Sequence, residues 1–212
     1  MTTATLHTLL VVLIAGSTPL PAMADQPGAD VQPRSAENLS SSPRLSVIAP
    51  APDFTLFDTA GKKVRLSDHR GRVVVLAFIF TSCPGVCPVI SRQMAALQEE
   101  LRKPGLFPGK ACMLSVTVDP ETDSAEVLAK YAESFGADPS GWRFLRDEPG
   151  KLRKVLAAYD EWTRLLPKGE IDHPARVYLL DAKGRIREIY SLAFFDERQA
   201  KLDILALLNE QR

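Results

Sequence analysis

Val73-Val74-Val75-Leu76-Ala77-Phe78-Ile79-Phe80 is an unbroken apolar run rich in β-branched and aromatic side chains. A strand with one wet face alternates, so a continuous run of this kind reads as a strand covered on both faces. Its neighbours supply the cover. Pro88 opens a helical pattern with Val89, Met94, Leu97 and Leu101 on one face, stopping at Pro104-Gly105. A second apolar strand spans 112–118 and ends at Asp119-Pro120. A helix then runs from Ser124 as N-cap to Gly136 as C-cap. A short strand over 142–145 precedes a helix that starts at Pro149 and carries Leu152, Val155, Leu156 and Tyr159. Strands at 177–180 and 186–190 flank Asp181-Ala182-Lys183-Gly184, and an amphipathic helix over 196–211 closes the chain. Upstream, Phe54 and Leu56 alternate, Ala60-Gly61 turns, and Val64 and Leu66 resume the alternation, which predicts an N-terminal β-hairpin. The whole is an α/β class chain, a central mixed sheet with helices on both faces.

The ends behave differently. Residues 1–24 hold no Asp, Glu, Lys or Arg, and the apolar run at 9–16 is followed by Pro19, Pro21 and Ala22-Met23-Ala24. A short apolar core before Ala-x-Ala predicts a secretory signal peptide over 1–24, cut after Ala24, with an uncleaved N-terminal anchor as the alternative. Residues 25–47, with Pro27, Pro33, Pro43 and Ser40-Ser41-Ser42, lack the apolar content to offset ordering entropy and read as a flexible linker. The folded domain is expected over 48–212. The 26 basic side chains balance 26 acidic ones, which argues against a nucleic-acid binder.

Three cysteines are too few for a disulfide framework, so any cysteine chemistry is local. The informative segment is Thr81-Ser82-Cys83-Pro84-Gly85-Val86-Cys87-Pro88, between the carboxyl end of the buried strand and a helix start. Ligand sites of open α/β sheets lie at carboxyl ends of strands. The helix N-terminus favours negative charge, so a cysteine there is expected to lose its proton more easily than a free thiol. Residues i and i+4 lie about 6 Å apart along a helix axis. That suits a reversible disulfide between Cys83 and Cys87, or convergence of both sulfurs on one soft ion. A permanent disulfide and two unpaired thiols stay open. Cys112, within the second strand, reads as a core residue, and a mixed disulfide there would require exposure.

Two sulfurs under-coordinate a metal, so a histidine is the natural third donor. His7 falls in the expected signal peptide, and His69, in Ser67-Asp68-His69-Arg70-Gly71, reads as a solvated turn residue. His173 immediately precedes the second hairpin, which should pair beside the central strands and bring the ring near the cysteines. Two sulfurs and an imidazole form a soft set that suits copper, with zinc as the chemical alternative.

These residues resemble the Sco/SenC family, thioredoxin-fold copper proteins of cytochrome oxidase assembly. The resemblance runs from Ala51-Pro52-Asp53-Phe54 through Thr81–Pro88 and Val116–Asp123 to Asp172-His173 before the strand at 177–181. It departs at Gly85, where the family often has Asp, and at Pro174, where a small polar residue is common. The resemblance implies a thioredoxin-like fold, copper on Cys83, Cys87 and His173, and Asp119 and Asp123 shaping the metal loop or a partner face. It also implies delivery of copper to the CuA site of cytochrome c oxidase subunit II or another periplasmic acceptor, or reduction of that subunit's cysteines. A periplasmic monomer is expected. The rival reading is a thiol–disulfide oxidoreductase that uses Cys83 and Cys87 without obligatory metal. A peroxidase is a weaker third, since peroxide chemistry would rely on one dominant low-pKa cysteine.

Overall fold

The computed structural model describes residues 43, 45–167, 171–191 and 195–210. The expected signal peptide, with His7, and the expected linker apart from Pro43 and 45–47 lie outside the described residues.

The chain enters through β1 (Ala49–Pro50) and a hairpin of β2 (Thr55–Asp58) and β3 (Lys63–Arg65). Then come β4 (Val73–Ile79), α1 (Val86–Arg102), β5 (Ala111–Thr117), α2 (Ala125–Ser134), β6 (Trp142–Arg146) and α3 (Pro149–Ala158). A small hairpin, β7 (Arg164–Leu165) with β8 (Ile171–Asp172), precedes β9 (Arg176–Leu180), β10 (Arg185–Ser191) and α4 (Glu197–Asn209). Apart from β7 and β8, the strands form one sheet in the order β1-β10-β9-β4-β5-β6-β2-β3. The N-terminal hairpin is its far edge, joined to β6 at Phe57↔Arg146 and Asp58↔Leu145.

Every residue of β4 and β5 is buried, so both faces of the sheet centre are covered, as the continuous apolar run requires. α1 and α4 pack together over one part of it. Phe78 of β4 meets Tyr159, at the end of α3, and Tyr178 of β9, with ring centroids 5.4 and 5.9 Å apart.

The polarity of the strands decides where function can sit. β4, β5 and β6 run parallel, and β9 runs antiparallel to β4. One pole of the sheet therefore gathers the carboxyl ends of β4 and β5 and the amino end of β9. The cysteine turn, the Asp119–Asp123 loop and His173 all leave from that pole. The 181–184 turn and β1 lie at the other.

Two local expectations change. α1 begins at Val86, two residues before Pro88. A proline in the first turn costs no hydrogen bond, because the N–H it lacks would be unpaired there anyway. His69 is buried rather than solvated. Its turn, with Gly71 at φ +86, folds the ring over the start of β5. Its Nδ1 lies 3.2 Å from Cys112 Sγ and 2.9 Å from Arg72 Nη2. Burial first, then Arg72 and Arg143, hold the imidazole pKa down at about 4. Cys112 is buried as expected, and burial lifts its thiol to about 11.

Candidate metal centre

β4 ends at Ile79, and the backbone turns through Phe80 to Gly85 before α1 begins at Val86. Starting the helix at Val86 places Cys87 inside its first turn, where backbone N–H groups lack helical acceptors. Cys83 Sγ takes one of them, accepting from the Cys87 N–H at 3.4 Å. Both cysteines are free thiols and buried, Cys87 completely.

His173, 86 residues further on, meets this turn. Its Nε2 lies 3.7 Å from Cys87 Sγ, and its ring stands edge-on to Phe80 with centroids 5.5 Å apart. Nδ1 is buried without a hydrogen bond of normal geometry, although the Pro174 backbone is near enough to act on it. Desolvation lowers the imidazole pKa, outweighing Pro174 and Asp172, which raise it. The ring is therefore neutral near pH 7, with a lone pair available to a metal.

The thiol of Cys87 departs from expectation. Burial pushes its pKa strongly up, and the adjacent Cys83 side chain adds to the rise. Removing a thiolate from water costs more here than the helix N-terminus returns. A cation held between sulfur and imidazole would reverse that balance, because a coordinated thiol is deprotonated. Soft donors, a neutral imidazole and a sheltered site fit a soft ion. Among the described residues, no three His, Cys, Asp or Glu side chains stand as a closed cage. Cys87 and His173 are paired, while the Cys83 sulfur is occupied by the helix N–H.

Asp123 lies behind the turn. It is wholly buried, and its carboxylate accepts from the Thr81 N–H at 3.2 and 3.3 Å, Thr81 Oγ1 at 2.5 Å and Thr117 Oγ1 at 2.6 Å. Desolvation raises its pKa against the pull of these donors. Arg146 clamps the same loop through the carbonyls of Asp123 and Pro120, both at 3.0 Å. Asp123 thus ties the exit of β4 to the exit of β5 and sets where the cysteine turn begins. Helix capping falls to its neighbour, as Ser124 Oγ accepts from Val127 N–H. Asp119 is half-buried at the strand exit and accepts from Thr122 N–H at 3.4 Å.

The sequence reading did not single out Thr81, Thr117, Arg146 or Ser91 for these roles. Ser91, one turn past Cys87, is buried and hydrogen-bonds the Tyr131 hydroxyl of α2 at 3.0 Å. Two of these residues sit in the quoted motifs, but only the fold joins them to Asp123. In the β7–β8 hairpin that leads into His173, Arg164 pairs with Asp172 and lies over the Trp162 ring. Leu165 is 74% exposed beside them.

The family model described as SCO1/SenC matches residues 46–209. The mitochondrial SCO2 homologue of Bos taurus is 33% identical over 147 residues, 66% of this chain and 53% of that protein. The chain thus spans about half the length of such curated relatives. Among solved structures, a SCO1/SenC family lipoprotein from Bacillus anthracis str. Ames aligns with a TM-score of 0.68 at 26% identity, covering 76% of this chain and 95% of its own. ScoI of Bradyrhizobium japonicum with copper bound aligns at 0.63 and 28% identity, covering 74% and 98%. The mixed sheet and its flanking helices match these neighbours, and the fold is thioredoxin-like.

Proposed function

Since the chain belongs to the SCO1/SenC family, we propose that it carries one copper ion on Cys83, Cys87 and His173 and passes it to an acceptor by ligand exchange. The observation that supports this most is the 3.7 Å approach of His173 Nε2 to Cys87 Sγ, which joins two donors 86 residues apart in the chain. The copper-bound relative from Bradyrhizobium japonicum points the same way. Uptake takes a proton from each thiol and exchanges the Cys83 contact with the helix N–H for one with the ion. Asp123 and Thr81 hold the turn while this happens. The acceptor is the CuA site of cytochrome c oxidase subunit II or another periplasmic copper protein, and the protein works as a monomer in the periplasm. Copper titration of the reduced protein tests the ligands. His173→Ala weakens binding strongly and Cys83→Ser/Cys87→Ser abolishes it, whereas unchanged affinity in His173→Ala rejects that ligand. Fractionation of the cell with the processed protein in the periplasmic fraction tests the location.

Two free thiols one turn apart also favour a second use of the site. The Cys83 thiolate attacks a partner disulfide, forming a mixed disulfide and releasing one partner thiolate. The Cys87 thiolate then attacks the Cys83 sulfur, leaving a Cys83–Cys87 disulfide and a reduced partner. Cys87→Ser would trap that partner covalently, and His173→Ala would leave the exchange intact.

A further inference from the structure

The segment that holds His173 is an excursion from the core, and a buried acid closes its neck. The chain leaves the end of α3 at Tyr159, turns at Asp160 with a left-handed φ of +54, passes Glu161 and the β7–β8 hairpin, and returns into β9. The two ends meet. Arg176 Nη1 donates to the Asp160 carbonyl at 2.9 Å and stands 3.6 Å from the Asp160 carboxylate. Tyr178 Oη lies 2.9 Å from the Tyr159 carbonyl and 2.7 Å from Glu161 Oε1. The Glu161 side chain is 1% exposed and 3.7 Å from Arg176 Nη1, and its Oε2 is buried without a hydrogen bond.

Counting protons decides the charge of this cluster. A tyrosine hydroxyl donates once, yet the Tyr178 hydroxyl faces a carbonyl and a carboxyl oxygen, both within hydrogen-bond distance. If Tyr178 donates to the Tyr159 carbonyl, the Glu161 contact is satisfied only by a proton on the carboxyl group, given to Tyr178 Oη. If Glu161 is ionised, one of the two contacts sets oxygen against oxygen, and a carboxylate oxygen stays buried without a donor, which is costly.

We propose that Glu161 carries a proton in the folded protein and, through Tyr178 and Arg176, acts as a positioning residue for the His173 segment, which its ionisation loosens. The link to the metal site rests on His173 as a ligand, while the link between proton and segment does not. The charged and titratable groups facing Glu161 are Tyr178 and Arg176 from β9 and Asp160 from its own turn. Burial, the largest influence, lifts the carboxyl pKa to about 7, against the lowering effects of Tyr178 and Arg176. An opened segment returns Glu161 to water and its ordinary pKa, 4.5. The closed state therefore binds the proton more tightly, and closure weakens as pH rises from about 4.5 to 7 and levels off beyond.

Hydrogen exchange on the copper-free, reduced protein tests this. His173, Asp160 and Asp172 share the segment, so the quantity to follow is the ratio of protection factors between wild type and Glu161→Gln across 162–167 and 171–175. The glutamine amide donates permanently to Tyr178 and mimics the protonated acid. The wild-type-to-variant ratio is expected to fall on the order of a hundredfold between pH 4.5 and 7. A ratio that does not change with pH overturns the inference. Carboxyl carbon NMR gives an independent reading, since a Glu161 titration near 4.5 also overturns it. Both readouts are independent of copper. If the ratio falls as expected while His173→Ala keeps full copper affinity, the proton latch stands and the ligand assignment fails.

Discussion

His69 shows how one side chain can be misjudged. Its sequence neighbours are polar and a glycine follows two residues later, a composition that reads as a solvated turn. The decisive contact, Cys112, lies 43 residues away in a strand that the turn folds across. Because the folded pKa of about 4 lies below the usual 6.5, the unfolded chain binds a proton that the folded chain refuses between those values. Stability should then fall as pH drops from 6.5 to 4, by up to roughly 3 kcal/mol at about 1.4 kcal/mol per unit. Urea unfolding across that range checks this, and His69→Gln should flatten the profile. Asp123 was legible as an acidic residue near a candidate loop, but its work was not, since Thr81 is 42 residues away. Asn at this position offers a single acceptor oxygen to the three donor groups that converge here. Asp123→Asn should cost about 1–3 kcal/mol and speed thiol labelling at Cys83, both measurable on the reduced protein.

Elements were easier to read than single residues wherever one physical rule dominated. The 73–80 run announced a doubly covered strand because burial on both faces erases alternation. Ser124 and Gly136 bracket α2 as expected, the serine accepting from Val127 N–H and the glycine taking φ +64. The start of α1 was placed late because Pro88 looked like a boundary, although proline suits any position in a first turn. The β7–β8 hairpin was not anticipated. Each of its strands is two residues long, below what periodicity can reveal, and it is held by the Arg164–Asp172 pair across its register. Arg164 is 67% exposed, so its loss should change global stability by less than about 1 kcal/mol. Arg164→Ala should nonetheless raise hydrogen exchange at 171–173, because it frees the residue beside the imidazole. A variant that melts earlier without that local change would contradict this account of the hairpin.

At the scale of the molecule, strand polarity sorts the chain into two ends with different duties. Ile48 N–H donates to the Ile186 carbonyl and Ala51 N–H to the Gly184 carbonyl, which seats the first described segment beside the 181–184 turn. Buried Arg187 reinforces it, reaching the Leu45 carbonyl, Asp181 and Glu210. Arg187→Met should expose 45–48 to proteolysis several-fold faster without altering labelling of Cys83, since the two lie at opposite poles. A change at Cys83 would show that the poles communicate. The order of contacts along β4 and β9 made this geometry partly foreseeable, because a hairpin after His173 had to return beside the central strand. Whatever grips the leading segment therefore grips the molecule by its heel. The cysteine turn, at the opposite pole, is left clear of that grip.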